Sequence, residues 1–537
     1  MPGAAPQVRI DALTHPKDLR FRAPLYWAVF SVTVLVRGLW LSLGNRWAGF
    51  YGYDEGVYLT GAIRLSMGQL PYRDFTSLHP PGLLLALQPV AWVERLFGDQ
   101  AALAAGRGLY VLLAGFSAVG VTWLARRLGR WPAIAAACVF VLALPELNAD
   151  IQLRLEPVYC AALIWAMVCL YRLFEAGAKK ARWALLAGAL LGLACTVKLF
   201  ALAPAVVVVG FVWLTRTRRE ARTVTVAALG TAVLVAGPFF VAAPGAMIGQ
   251  VVTSQSSRGE AVTSRRLNAG PLAGLGRDGW TALVVVVAVL ALVLVVRRIV
   301  QHRSAENVDG MLAQCWLAYA VASSAGLAVS PSYYQFYLVL LVLPAAMGAA
   351  YLVRAVVRLR GDLLKVGWTN ARRFGLVVCA VALLGWFGVV NPIVPSAVAH
   401  TFRGRLTVGP GPTSTLARQL LARGDGDGCA VAATPDELIA TGLLKQNLAR
   451  GCAAPTDYIG MRYLADAGVA IPEDRRLKTP VEVERWVNHL ARGSSLVVVH
   501  SKFSADHYLR VFLLTHDEAH PVGQAGALQF WYVDKGA

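Results

Sequence analysis

Charge is scarce in this sequence: 15% of its 537 residues are Asp, Glu, Lys or Arg, and acids are the rarer sign, 31 against 51 Lys and Arg. With 57% apolar residues and a mean hydropathy of +0.54, the chain is too apolar for one soluble core. Its apolar residues come in membrane-length blocks separated by Arg-rich punctuation, the pattern of a polytopic membrane protein. Recognisable catalytic signatures are lacking too. No Walker phosphate loop, dinucleotide-binding glycine fingerprint, His-Glu-x-x-His or Gly-x-Ser-x-Gly stands where it would carry chemistry, which disfavours nucleotide-driven transport and zinc proteolysis. The net charge of +20 comes without a basic domain interleaved with aromatics, so nucleic acid is not the expected partner. Cysteine is sparse. Six of the eight, Cys138, Cys160, Cys169, Cys195, Cys315 and Cys379, fall in apolar segments, where cysteine behaves as a small apolar residue.

What is present is a regular alternation of apolar segments and cations. Residues 1–23 form an expected cytoplasmic tail with Lys17, Arg20 and Arg22. The apolar run that follows is too long for a signal-peptide core and lacks a small-residue cleavage site, so it reads as a retained first span. Eleven spans satisfy length and charge together, centred near residues 34, 115, 140, 166, 190, 207, 233, 288, 320, 345 and 383. Clusters such as Arg126-Arg127, Lys179-Lys180, Arg218-Arg219 and Arg297-Arg298 would then face the cytoplasm, which puts the N-terminus inside and the C-terminus outside. From Trp183 to Thr215 the chain is apolar apart from Lys198, yet both flanks are cationic. One helix cannot return both ends to one side, so the spacing predicts two short helices turning at Thr196-Val197-Lys198. A lysine that only snorkels to the interface is the equal alternative.

Residues 24–395 thus read as a transmembrane domain whose first outer loop, about 45–104, holds two expected interfacial helices, Glu55–Met67 and Gly82–Phe97. A second outer loop, about Pro244–Gly279, is either a lid or a flexible connector. Residues 396–537 have the composition of a small outer α/β domain, with strands expected at Cys429–Ala433, Ser495–His500 and Leu528–Val533 and helices after Pro435, at Val481–Leu490 and at Ser504–Phe512. Cys429 and Cys452 are its only cysteines. An oxidising exterior predicts a disulfide between them, and they lack the company a structural zinc site needs.

The residues suited to chemistry gather at the outer ends of spans. Asp54 and Glu55, in Tyr51-Gly52-Tyr53-Asp54-Glu55-Gly56-Val57-Tyr58, are acids beside the membrane. A carboxylate there takes a proton from an attacking hydroxyl as a general base, or simply caps the helix that follows. Glu156 opens the fourth span in Arg154-Leu155-Glu156-Pro157 and joins them as a third candidate catalytic acid. Lys198, Arg154 and Arg107 are candidate cations for a leaving phosphate. His79, in His79-Pro80-Pro81-Gly82, together with Tyr53, Tyr58 and the late-loop Tyr333, Tyr334 and Tyr337, are candidate substrate-binding residues. A rigid Pro-Pro turn and an interfacial aromatic belt explain several of these without function.

The order of these motifs resembles the GT-C class of membrane glycosyltransferases, particularly protein O-mannosyltransferases and aminoarabinose transferases. Tyr53-Asp54-Glu55-Gly56-Val57-Tyr58 is similar to the aromatic-Asp-Glu-x-x-aromatic first-loop motif, and His79-Pro80-Pro81-Gly82 to the His-Pro-Pro-Leu-Gly that follows it. Arg154-Leu155-Glu156 resembles the opening of the fourth span, and Lys198 the fifth-span lysine. Tyr333-Tyr334-Gln335-Phe336-Tyr337-Leu338 is similar to a late aromatic-His-Tyr-Leu element in which Gln335 or Phe336 stands in place of His. The resemblance spans residues 24–395. It implies an α-helical GT-C-like protein of the cell membrane that transfers a sugar from a polyprenyl-phosphate donor to an extracytoplasmic glycan, lipid or protein. Asp54 would be the base, the cations would hold the donor phosphate, and inversion would follow. Some members use a divalent metal, so Mg or Mn is a possible cofactor. The runner-up is a non-enzymatic transporter of lipid-linked sugars or an envelope assembly protein, which would disperse the acids near the midplane and show internal repeats; no convincing repeat is present.

Overall fold

In lipid every backbone N–H and C=O must be satisfied within its own segment, so the long apolar runs become helices. The computed structural model describes residues 16–43, 47, 52–175, 179–256, 276–303, 308–330, 334–365, 410–425, 427–501 and 507–534. Helix α1 (Pro16–Leu43) leads into three short helices of the first loop, α2 (Tyr53–Ser66), α3 (Gly82–Ala86) and α4 (Gln88–Phe97). The chain continues through α5 (Asp99–Ala125), α6 (Arg130–Leu142), α7 (Leu144–Asp150), α8 (Leu155–Glu175), α9 (Lys180–Val197), α10 (Leu202–Thr215) and α11 (Arg218–Ala242). Helices Gly276–Arg303, Val308–Ala328 and Val339–Lys365 complete the described bundle.

Among the described residues eight helices are long and apolar enough to cross a membrane, and they fall on eight of the eleven expected centres. Near residue 140 the expected single span is the pair α6 and α7, bent by 59°, because Ala143 leaves helical geometry and Pro145 starts a new helix. Near 207 stands a shorter apolar helix, Leu199–Thr215. The expected span near 383, with Cys379, lies outside the described residues, as do Arg258, Glu260, Arg265 and Arg266 of the second outer loop. The window of α8 is 83% buried, whereas those of α11 and Ala282–Gln301 are 17% and 11% buried. The first is the hub of the bundle, and the other two present apolar flanks such as Val233, Leu234, Leu290 and Leu294 outward.

The C-terminal segment forms a four-stranded sheet of order β1-β2-β4-β3. Strand β1 (Ala430–Ala432) pairs parallel with β2 (Leu496–His500); β4 (Leu528–Val533) pairs antiparallel with both β2 and β3 (Ala519–Ala525). A parallel neighbour needs a crossover, and helices Pro435–Thr441, Leu444–Arg450, Tyr458–Asp466 and Pro480–Gly493 supply it. Three strands match the sequence expectation, and β3 is the addition. The helix expected from Ser504 begins at His507 and runs to Thr515. Cys429 and Cys452 are joined as a disulfide.

Two sequence expectations for the first loop are corrected. Helix α2 does not lie along an interface: Glu55, Gly56, Val57, Leu59, Thr60, Gly61, Ala62 and Ile63 are all buried. It is pressed between the bundle and the C-terminal segment, and a Cβ at Gly56 would stand 2.5 Å from the Asp436 backbone nitrogen, so only glycine admits that contact. The expected helix Gly82–Phe97 is two, with α3 buried. Only α4, with Trp92, Leu96 and Phe97 60–75% exposed, keeps the character of an interfacial helix.

Candidate active site

A cavity of about 440 Å³ opens where the first loop, the start of α8, the end of α9, the residues Tyr334–Tyr337 and the C-terminal segment meet. Asp54, His79, Arg154 and Lys198 all line it. Four residues far apart in sequence thus share one space.

Asp54 sits in the first turn of α2, with its Oδ2 3.1 Å from Arg154 Nη1. Arg154 is held from behind: its Nε donates to Gln152 Oε1 at 2.9 Å, and its guanidinium lies 4.1 Å from the ring centre of Phe336. The Nη1 atom is buried and makes no aligned hydrogen bond. It is therefore an ion-pair partner of Asp54 whose donor capacity is not used up by an aligned hydrogen bond.

Glu55 faces the other way. Its carboxylate accepts from Arg107 Nε at 2.9 Å and Nη2 at 2.5 Å, and from the Leu153 backbone N–H at 3.0 Å. Glu55 and Arg107 are both buried, and neither lines the cavity. Adjacent residues at the start of a helix point about 100° apart, so only one of the two acids faces the open space.

Lys198 ends α9 in extended conformation, and a 3-10 turn, Leu199–Ala201, leads into α10. The expected turn between two short helices is thus present at that lysine. The ammonium donates to Glu156 Oε1 at 2.5 Å and stands 4.0 Å from the ring centre of Tyr337. Glu156 is buried behind Lys198 and does not line the cavity. The loop carrying His79 presses on this turn, since a Cβ on Gly82 would stand 2.7 Å from the Thr196 carbonyl oxygen. Glycine at position 82 is what lets the two motifs meet.

The His79 loop is fixed from several sides. Tyr72 adopts a left-handed backbone with φ +69°, a conformation costly for a bulky residue unless its surroundings enforce it. Its buried hydroxyl donates to the His79 carbonyl at 2.7 Å. The fully buried Gln250 accepts from Ser77 N–H at 2.9 Å and donates to the Tyr72 carbonyl at 3.1 Å. Glu473 accepts from both the N–H and the hydroxyl of Thr76 at 2.9 and 2.6 Å. The His79 ring lies 6.0 Å from that of Tyr58, which also lines the cavity.

The C-terminal segment closes the cavity with Asp457, Ile459, Gly460 and Tyr463. The Tyr53 hydroxyl donates to Asp457 Oδ1 and accepts from Ile459 N–H at 2.8 Å. Burial, reinforced by the neighbouring Asp457 carboxylate, holds the Tyr53 phenol well above its ordinary pKa, so it remains a donor. Arg64 bonds Thr456 beside it. None of these C-terminal residues is among the sequence-based candidates. The one local signal is that Asp457 caps the helix Tyr458–Asp466 through Gly460 N–H at 2.7 Å, a role any N-terminal Asp fills.

Tyr334, Phe336 and Tyr337 line the same space, with Tyr334 and Phe336 stacked at 5.2 Å and 11°. Tyr333 lies outside the described residues. Among the described residues no group of three or more His, Cys, Asp or Glu side chains converges as a metal site. The two acids that line the cavity each have a partner, Asp54 the Arg154 guanidinium and Asp457 the Tyr53 hydroxyl.

A family model described as glycosyltransferase family 87 matches residues 75–331, which contain His79, Arg154, Glu156 and Lys198. No curated protein matches the sequence. ArnT from Cupriavidus metallidurans, solved in the apo state, superimposes with a TM-score of 0.55 at 14% identity, covering 95% of this chain and 98% of that one. The archaeal oligosaccharyltransferase AglB from Archaeoglobus fulgidus, in complex with an inhibitory peptide and a dolichol-phosphate, gives 0.51 at 11% identity over 95% of this chain and 74% of that one. At such identities the likeness is one of fold. The glycosyltransferase family match over residues 75–331, the shared fold and the gathered spans together support a membrane glycosyltransferase of the GT-C class.

Proposed function

We propose that the cavity transfers a sugar from a polyprenyl-phosphate donor to an acceptor hydroxyl or amide outside the cytoplasm, with Asp54 as general base. The observation that carries this reading is the placement of Asp54, Arg154 and Lys198 on one cavity, a carboxylate with one cation at its side and a second on the same wall. AglB, whose fold is similar, is in complex with a dolichol-phosphate, a ligand of the kind proposed. The positive-inside distribution of Arg and Lys supports an outer-face location for this cavity and the C-terminal segment.

The chemistry follows from the charges. The acceptor oxygen or nitrogen attacks the anomeric carbon as its bond to the phosphate oxygen breaks, and the electron pair leaves with the polyprenyl phosphate. Arg154 and Lys198 stabilise the charge that gathers on that phosphate. Asp54 takes the acceptor proton. A single base that activates the acceptor, with no second carboxylate assigned as a nucleophile, makes the transfer one displacement, which inverts the anomeric carbon. Arg154 serves both sides of the reaction: a donor phosphate that draws Nη1 away from Asp54 loosens the ion pair and leaves the carboxylate more basic for the acceptor. Asp457 and Tyr463, on the wall that the C-terminal segment supplies, are assigned to the acceptor. Glu55, Arg107 and Glu156 act by position, the first two fixing the start of α2 and the third aiming Lys198. No step is routed through a metal.

The test is incubation of purified protein with radiolabelled polyprenyl-phosphate sugars and an envelope extract. Radiolabel moving to a glycan, lipid or protein product supports the reading; donor consumed only as free sugar, or not at all across the common sugars, contradicts it.

A further inference from the structure

On the flank of the bundle, α9 and α11 bound a lateral groove of about 660 Å³, remote from the candidate active site. Its walls are apolar, with Leu185 and Ala189 on one side and Val226 and Leu234 on the other, and Arg219 and Arg222 stand at one end. Val226 and Leu234 are 67% and 76% exposed, so in a membrane this surface meets lipid.

We infer that this groove holds an anionic phospholipid, its phosphate bound by Arg219 and Arg222 and an acyl chain lying between α9 and α11. Apolar lining alone would not select a lipid, because acyl chains are as apolar as the side chains they touch. The cations supply the selection. Arg219 and Arg222 are three residues apart and therefore share one face of α11. Glu220, the acid beside them, is turned to Arg216 at 3.0 Å, and neither Arg219 nor Arg222 forms an ion pair with another described residue. Two exposed guanidiniums without a carboxylate, at the mouth of an apolar trough, match a group that carries phosphate above a hydrocarbon tail. A zwitterionic headgroup brings its own cation and would be held less well. The positive-inside pattern also places this end at the leaflet where anionic lipids attract basic residues.

The test uses the full-length protein, reconstituted in vesicles of phosphatidylcholine alone or of phosphatidylcholine with phosphatidylglycerol, re-extracted, and analysed for retained lipid by native mass spectrometry. Wild type should retain phosphatidylglycerol in preference to phosphatidylcholine, and the R219Q/R222Q variant should lose that preference by about tenfold or more, two surface cations each contributing about 1 kcal/mol. Ala189→Phe fills the trough without altering charge and should release the same lipid, so it decides the matter if the arginine variant does not fold. Equal retention of the two lipids by wild type, or unchanged retention in both variants, overturns the inference. Displacement of the lipid by inorganic phosphate with Ala189→Phe behaving as wild type overturns it also, since that marks a free-anion site.

Discussion

Arg107 grips both carboxylate oxygens of Glu55, at 2.9 and 2.5 Å, with both side chains buried. This pair divides the labour of the two adjacent acids: Glu55 anchors α2 to α5, and Asp54 is left facing the cavity.

Breaking a buried pair by removing one partner strands the other charge, so Arg107→Met and Glu55→Gln should each destabilise the protein by about 3–5 kcal/mol, and the double variant by less than the sum. Denaturant or thermal unfolding in detergent checks this. If Arg107→Met instead weakened donor binding while leaving unfolding unchanged, Arg107 would be a phosphate ligand after all.

Lys198→Ala should weaken the phosphate-bearing donor by about tenfold or more, as a charge-assisted contact is lost, and leave acceptor affinity nearly unchanged. Equilibrium binding of a labelled polyprenyl phosphate separates the two effects. Unchanged donor affinity would reduce Lys198 to a structural partner of Glu156.

How much of this was legible in the sequence depends on whether a signal is local. Spans are legible because lipid demands long apolar helices, and the turn at Lys198 because a lone cation interrupts a run too long for one crossing and too cationic at both ends. The break between α6 and α7 carries no such signal, because Pro145 only divides a segment of the right total length. Strand β3 (Ala519–Ala525) contains Pro521 and Gly523 at a register shift, which an edge strand tolerates and a propensity reading rejects. The site divides the same way. Asp54, His79, Arg154 and Lys198 were visible as polar residues at span ends, whereas nothing local to Glu55 announces Arg107, 52 positions away. Asp457 reaches Tyr53 across 404 positions, a contact made only by tertiary packing.

Asp457 and Tyr463 carry the acceptor wall, so Tyr463→Ala should raise the acceptor KM several-fold with donor binding intact. Steady-state kinetics with each substrate varied in turn resolves this. A change confined to the donor KM would move the acceptor elsewhere in the cavity.

The bond between Cys429 and Cys452 spans a sequence separation of 23, for which chain-entropy arguments give about 3 kcal/mol of stabilisation. Cys429→Ser with Cys452→Ser should therefore lower the unfolding transition of the C-terminal segment. A non-reduced digest should yield one crosslinked peptide joining these residues. After reduction in intact cells, an impermeant maleimide should reach Cys452 from outside. Labelling from the cytoplasmic side alone would reverse the orientation proposed here.

The central claim is that Asp54 is the base. Asp54→Asn preserves the shape of the side chain and removes its ability to take a proton, so the variant should bind a labelled polyprenyl-phosphate sugar yet turn over at least about a hundredfold more slowly. Turnover above about a tenth of wild type, a barrier change of under about 1.4 kcal/mol, would contradict the assignment.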